Sequence, residues 1–444
     1  MKIAIIGGGT AGFIAAAHLT KYFPAFELYH IFDPNIPTIG VGEGTTPFFR
    51  YWLQDITNLK DAELAQRCFL TRKFGIKFEN WGTQYQQFFH HFYPIRSDYA
   101  YHISADKLVE LLADYVSATH IQKKVVEIES DGVVANIKFG DDTNLEVDFA
   151  IDARGLPKSL GPEHIELNLI PTNAALIRRG PAIEDGKIDL TIDQCSFQYQ
   201  SATRAIARPH GWIFTIPLTT RTSYGYIYNH NISSISEVRA DFDQFLNGEG
   251  VHCTPTERQL TFPNFACRTF FDGAVFRIGN AALFLEPLEA TAIVWILSYM
   301  KSFSRWPLRK LLVSYVLQGR KKSRLNENNL RRFNASLLNG VLKTAIFVGW
   351  HYGMGSAFDS EFWRFAKGNF QTELQKLENS PLLAEFDQYC QAALALPHPF
   401  KNHDQFSIVS EKDDNIDDRK GFASFPAPSF AEVGCGIGCL SKKF

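Results

Sequence analysis

The residues that could do chemistry begin with Gly7-x-Gly9-x-x-Gly12, which follows the apolar run Lys2 to Ile6 and precedes the Ala-rich stretch Phe13 to Tyr22. Glycines at this spacing permit a tight turn and close backbone approach, and the helix that follows aims its unpaired N–H groups at a pyrophosphate. Gly7, Gly9, Thr10, Ala11 and Gly12 are therefore candidate nucleotide contacts. An acid about 20 residues further on would hold the ribose, which points to Asp33. Lys73 and Lys77 form a second group. A lysine is a mobile point-charge donor whose pKa falls on burial, although the same pair reads equally as solvated positions on one helical face. Glu289 is a third candidate, which also reads as a helix-start carboxylate favoured by the dipole. Cys435-Gly-Ile-Gly-Cys439 lacks a second Cys or His pair nearby, so no metal site is expected. A lone helical histidine is more often a satisfied core residue, and His351 is given no role.

These groups need elements to hold them. Lys2 to Ile6 and Phe26 to Phe32 read as strands around the helix that starts after Gly12, a β-α-β opening. The stretch from Thr45 to Trp81 mixes helical periodicity with loops. Lys124 to Ile128 and Asn136 to Phe139 alternate as strands about a Ser130-Asp-Gly132 turn, and Phe149 to Ala153 is a further strand. Strand-like runs dominate from about 165 to 265, at Ala174 to Arg178, Trp212 to Ile216 and Ser223 to Tyr228. The pattern is helical from Ala290 onward. After about Pro397 it turns polar, with Glu411-Lys-Asp-Asp414, and reads as a weakly structured or surface-wrapping tail.

Composition removes several function classes. The 444 residues carry 45 basic and 47 acidic side chains, which gives no footprint for nucleic acid or an anionic membrane. Three consecutive glycines in the apolar opening argue against an export signal. Glu286, Pro287 and Glu289 interrupt the apolar stretch from Ala281 to Met300, so no membrane span is expected. Seven scattered cysteines fit reduced thiols in the cytoplasm. The 38 Phe and 16 Tyr suit both a core and a pocket for flat ligands.

Three further segments resemble those of hydroxylase-type FAD proteins: Val125-Val126, a strand of the kind that packs on adenine; Asp152-Ala-Arg-Gly155, a second turn toward the cofactor; and Ile278-Gly-Asn280-Ala-Ala282, beside the ribityl chain. The implied fold is α/β (α+β), a Rossmann-like FAD module with an inserted sheet and a helical C-terminal region. The expected division is an FAD module at 1–165 and 266–300, a substrate-layer sheet at 166–265, a helical substrate region at 301–396 and the tail at 397–444.

Four motifs together resemble the flavin-dependent halogenases typified by tryptophan halogenases: Ile36-Pro-Thr-Ile-Gly-Val-Gly-Glu-Gly-Thr-Thr-Pro47, Lys73-Phe-Gly-Ile-Lys-Phe-Glu-Asn-Trp81, Trp212-Ile-Phe-Thr-Ile-Pro217 and Glu286-Pro-Leu-Glu-Ala-Thr-Ala292. The resemblance runs to about residue 370. It implies Lys73 and Glu289 as catalytic residues, the N–H groups of Thr291 and Ala292 as a halide site, and Trp212 and Phe214 as a wall between substrate and flavin. Ile293 joins the implied cofactor contacts. It also implies reduced FAD from a separate flavin reductase, a halide ion and a small aromatic substrate, with a homo-oligomer possible. His351-Tyr352 and Phe362-Trp363 resemble the family's later helical signature. There are departures: Ala290 and Ala292 stand where relatives commonly have Ser and Gly, Phe214 replaces a tryptophan, and Phe32 occupies a position where relatives often carry an acid. Tryptophan-specific relatives continue well beyond the helical signature and clamp the amino acid there. About 80 residues remain here, so free tryptophan is not the expected substrate, and bromide or iodide is expected to be used before chloride.

Overall fold

The computed structural model describes residues 1–36, 42–93, 98–182, 200–318, 325–396, 399 and 425–440. Strand β1 (Lys2–Ile6) pairs in parallel with β2 (Glu27–Ile31) on one side and with Phe149–Asp152 on the other. Thr119–Ile121 and Val275–Arg277 complete this five-stranded parallel sheet. Ile3 and Ile5 pack into one core cluster and Ala4 and Ile6 into another, so both faces of β1 are covered. That is why its sequence is apolar without alternation. Helix α1 (Thr10–Tyr22) follows the glycine turn. A Cβ on Gly7, at φ +139°, would lie 2.4 Å from the Ala153 carbonyl oxygen, and one on Gly12 would lie 2.0 Å from that of Gly7. Only glycine fits either place.

The second sheet has nine strands and mixes sequence regions. From one edge it runs Glu257–Thr261, Ala174–Gly180, Thr222–Tyr228, Gly211–Pro217, Gln200–Arg208, then β4 (Thr71–Glu79), β6 (Ala100–Ser104) and β3 (Gly42–Gly44). Strand β5 (Gln87–His91) also pairs with β4. One edge of β4 changes partner midway, pairing β6 over Thr71–Lys73 and β5 over Gly75–Glu79. The change falls at Gly75, whose φ is +151°. The sheet expected within 166–265 thus also recruits β3 to β6 from the stretch assigned to the FAD module. The parallel pairing of β4 with Gln200–Arg208 spans a long crossover, and local periodicity carries no sign of such a partner.

Two local expectations change. The stretch from Thr45 to Trp81 holds helices Pro47–Thr57 and Asp61–Cys68, but Lys73 and Lys77 stand on strand β4, not on a helix. Positions four apart share a face in both geometries, so the spacing could not choose. The polar-tail reading is corrected for residues 425–440, where helix Ala427–Gly436 buries Phe430 and Val433 completely. Its glycines read as loop signals but serve close packing: a Cβ on Gly436 would lie 2.3 Å from the Phe88 ring. Residues 401–424 and Cys195 lie outside the described residues, as do Pro37 to Val41 of the Ile36 to Pro47 motif. The expected helical region is present as Glu327–Gly353, Glu361–Gln375 and Pro381–Leu394.

Candidate active site

Lys73 points from β4 into the interior and has no exposed surface. Its Nζ donates to the Thr45 carbonyl oxygen at 3.2 Å and stands 5.4 Å from the Phe92 ring centre. Burial pulls its pKa down to about 8, opposed by the neighbouring charge of Glu289. Gly44 keeps this space open, since a Cβ there would lie 3.4 Å from both Lys73 Nζ and Ala290 Cβ. Lys77 is only half-buried, 4.0 Å from Glu79.

Glu289 enters the same space from the loop that precedes helix Ala292–Phe303. The Ala290 N–H donates to the Pro287 carbonyl at 2.9 Å, and Ala290 takes a left-handed φ of +53°. This tight turn points the buried Glu289 side chain at two histidines. His90 Nδ1 is 3.2 Å from each carboxylate oxygen, and His351 Nε2 is 2.9 Å from Oε1. Burial pushes the Glu289 carboxyl up, but the charge and hydrogen bonds of His90, with His351 close by, prevail and hold it at about 2. His90 is raised in turn: burial lowers it, and the charge and hydrogen bond of Glu289 overcome that. Glu286 differs. Its fully buried carboxyl is pushed up to about 7 by burial, and it accepts from the Tyr352 hydroxyl at 2.6 Å and from Thr172.

Helix Ala292–Phe303 begins with Thr291 at its N-cap, and the Thr291 side chain makes no capping bond. Its first N–H groups therefore receive no side-chain cap. Asn280, Thr291, Ala292 and Trp295 line one cleft there. Ile293 is buried behind it. At the other end, Gly9 caps α1 without a side chain, and open space lies where its Cβ would be. Gly155 has the same open space at φ +100°, while a Cβ on Gly279 would lie 2.7 Å from that of Ala11. The Asn280 turn thus leans directly on the start of α1, joining the early and late motifs.

An aromatic cluster surrounds the His351 ring that meets Glu289. Trp212, Phe214 and Ile216 share one face of their strand, within the main core. Trp81 packs 6.2 Å from Trp212, 5.2 Å from Trp363 and 5.3 Å from Tyr352, centre to centre. The ring of His351 lies 5.1 Å from Phe78 and 6.2 Å from Trp81.

The model of the tryptophan halogenase family matches residues 2–98 and 94–391. The chain belongs to that family. It is 23% identical over 440 residues to the tryptophan 7-halogenase RebH of Lentzea aerocolonigenes, covering 82% of this chain and 78% of that protein. Among solved structures, it resembles the tryptophan 6-halogenase SttH of Streptomyces toxytricini with a TM-score of 0.75 at 20% identity, over 99% of this chain and 91% of that one. BrvH, a flavin-dependent halogenase from Brevundimonas sp. BAL3, gives 0.71 at 19%, over 98% and 90%.

As a flavin-dependent halogenase the chain calls for FAD, and its residues fit that group. The uncapped α1 terminus at Gly9 and the open positions at Gly9 and Gly155 leave room for a pyrophosphate, where a side chain would intrude. Thr10 and Ala11 open the helix there. Asp33 lies just beyond β2, and its Oδ1 accepts from the Asn35 backbone and side-chain nitrogens, both at 3.0 Å. Phe32 covers Gly8, with its Cβ 3.1 Å from the position of a Gly8 Cβ. Val125 starts a bulged strand in a separate three-stranded meander.

The sequence reading of this halogenase missed both histidines that touch Glu289. In the sequence His90 carries no signal beyond its neighbour His91, and His351 reads as a satisfied core residue. The His351-Tyr352 pair was the available clue: both side chains reach a buried glutamate, His351 reaching Glu289 and Tyr352 reaching Glu286. Also missed was His102, whose Nε2 lies 2.8 Å from the Thr203 hydroxyl and which burial, with Lys73 nearby, holds well below the usual histidine range. Among the described residues no cluster suits a metal, and Cys439 accepts from Trp350 Nε1 at 3.3 Å. No helix among them is long and apolar enough to cross a membrane.

Proposed function

We infer that this halogenase acts on an electron-rich aromatic small molecule and that Lys73 and Glu289 form its catalytic pair. The observation that carries the reading is their joint burial: a lysine brought down to about 8 beside a carboxylate held at about 2 in one enclosed space. Bound FAD, once reduced, would supply hypohalous acid from oxygen and halide. Gly7, Gly9, Thr10, Ala11 and Gly12 hold the pyrophosphate end, with Asp33 and Val125 toward the adenosine and Gly155, Asn280 and Ile293 toward the flavin. The N–H groups of Thr291 and Ala292 bind halide, as a helix N-terminus does. The chain shows no dinucleotide turn besides the FAD one, so a separate flavin reductase supplies the reduced cofactor.

Lys73 donates a hydrogen bond to the oxygen of hypohalous acid and polarises the oxygen–halogen bond. An electron-rich ring carbon attacks the halogen, the bond to oxygen breaks as the Lys73 ammonium gives its proton to the departing hydroxide to form water, and Glu289 takes the proton that leaves the ring and returns it to Lys73. Trp212 and Phe214 keep the ring on the lysine side. The test is mass analysis of a phenol and indole panel incubated with the protein, FAD, a flavin reductase and each halide in turn. Products that gain a halogen in place of hydrogen support the reading. Products that gain only oxygen identify an aromatic hydroxylase instead.

A further inference from the structure

We propose that the Thr203 hydroxyl is a further catalytic group, which accepts the O–H of hypohalous acid and holds it against Lys73, with His102 as the positioning residue behind it. The proposal deepens the Lys73–Glu289 reading above and rests on it. It starts from a hydrogen bond whose direction is fixed. Thr71 Oγ1 lies 2.8 Å from the Pro217 carbonyl oxygen. A carbonyl only accepts, so the Thr71 proton is spent there. The same Oγ1 lies 3.2 Å from His102 Nδ1, and the proton of that contact comes from the ring. The ring is fully buried, and burial with Lys73 nearby keeps it neutral. A neutral ring protonated at Nδ1 has a bare Nε2. That atom lies 2.8 Å from Thr203 Oγ1, so the Thr203 hydroxyl donates to it. Thr203 Oγ1 then meets any other partner with lone pairs alone.

That oxygen faces the space around Lys73. A Cβ on Gly44 would lie 3.5 Å from Thr203 Oγ1 and 3.4 Å from both Lys73 Nζ and Ala290 Cβ, so the three groups converge on one side of Gly44. The strands arrange this. Lys73 pairs with Ser201, and the register then shifts so that Thr203 pairs with Ile76. Such an irregularity re-aims side chains. The neighbouring Thr45 hydroxyl is taken up by Tyr101, donating to its carbonyl at 2.8 Å and accepting from its N–H at 2.9 Å. Ala290 offers only a methyl group. Among the described residues Lys73 Nζ donates to the Thr45 carbonyl alone, so its ammonium form has further protons to give. A donor facing an acceptor suits a molecule that accepts and donates through one oxygen. Hypohalous acid does both, whereas a hypohalite anion would turn its charge on the Thr203 lone pairs. Lys73 donates to the oxygen, the O–H donates to Thr203, and the halogen is left for the ring. As the ring carbon attacks, the oxygen keeps the electron pair of the broken bond, takes the Lys73 proton and leaves as water.

The test compares Thr203→Val, which keeps the shape, with Thr203→Ser, which keeps the hydroxyl. Bromination of an indole, oxidation of reduced flavin, and free hypobromous acid trapped as the bromamine of taurine are followed in one reaction. Thr203→Val is expected to give about tenfold less brominated indole per flavin oxidised, the loss of one hydrogen bond to the reacting molecule. Its flavin oxidation is expected to be unchanged and its bromamine raised, because acid that is not held escapes. Thr203→Ser is expected to stay close to wild type in all three. A Thr203→Val protein that couples flavin oxidation to bromination like wild type overturns the proposal, and so does an equal loss in both variants. Nitrogen-15 NMR of histidine-labelled wild-type protein reads the same point without turnover or substitution. A neutral His102 protonated at Nδ1 is expected at pH 7. A ring protonated at Nε2 makes Thr203 a donor and overturns the proposal. Wild-type protein that brominates nothing overturns the catalytic reading and this proposal with it, whereas an active wild type with an unaffected Thr203→Val overturns this proposal alone.

Discussion

A lysine and a glutamate taken out of water lose their solvation and must recover it from each other and from their neighbours. Here the glutamate has two histidines and the lysine has a carbonyl, Thr45 O, which places Lys73 close to its titration near neutral pH. Its lowered pKa of about 8 gives the direction of a pH effect. The ammonium form, which the proposed mechanism requires, dominates below that value and is lost as pH rises through it. Halogenation should therefore fall above about pH 8 while flavin oxidation does not, which parallel rate measurements would show. Lys73 and Glu289 were legible in the sequence because they sit in linear motifs. His90 and His351 were not, because a lone histidine has no spacing, and only the fold brings both to Glu289. The glycines also divide by role. Gly9 faces open space and Gly12 faces the Gly7 carbonyl. Gly9→Leu should leave the melting temperature of the flavin-free protein unchanged and weaken FAD binding by tenfold or more, at least about 1.4 kcal/mol. Gly12→Ala should instead destabilise the protein by about 1–3 kcal/mol, seen in denaturant unfolding. A Gly9 variant that binds FAD like wild type would remove the turn from the cofactor site.

Elements were legible where their pattern is local. The β1–α1–β2 unit follows from an apolar run, a glycine turn and a small-residue helix, and the Trp212 strand from its strand-like run. Strand β4 was obscured because Lys73 and Lys77 share a face at helical and strand spacing alike. The C-terminal helix was obscured because glycine and proline usually mark loops, whereas here Gly436 admits the Phe88 ring. That helix is tied to the site. Glu432 accepts from the His91 backbone N–H at 2.9 Å and from its Nδ1 at 2.8 Å, next to the His90 that holds Glu289. Phe425 stacks on Phe347 at 3.9 Å and lies 6.1 Å from His90. Glu432→Ala strands both His91 donors in a buried place. It should cost about 2–4 kcal/mol in unfolding experiments and lower halogenation more than flavin oxidation. An unchanged stability would mean the pair does not anchor the helix.

At the scale of the molecule, the two sheets are not separate sequence blocks. The large sheet draws on strands before residue 105 and after residue 170, and its parallel joint at β4 could be found only in three dimensions. Residues 425–440 are a packed segment rather than a loose tail. Ala290 and Ala292, at the start of helix Ala292–Phe303, are what bears on the choice of halide and substrate. Bromide is easier to oxidise than chloride, so competition assays should show bromination ahead of chlorination, and simple phenols or indoles ahead of free tryptophan. Efficient single-position chlorination of free tryptophan would contradict this. The role of Lys73 is tested most directly by comparing wild type with Lys73→Ala, following halogenated product by mass spectrometry and reduced-flavin oxidation by absorbance in the same reaction with bromide. The variant should still bind FAD and oxidise it at a near-normal rate while regioselective brominated product disappears. Undiminished regioselective bromination by Lys73→Ala would contradict that role.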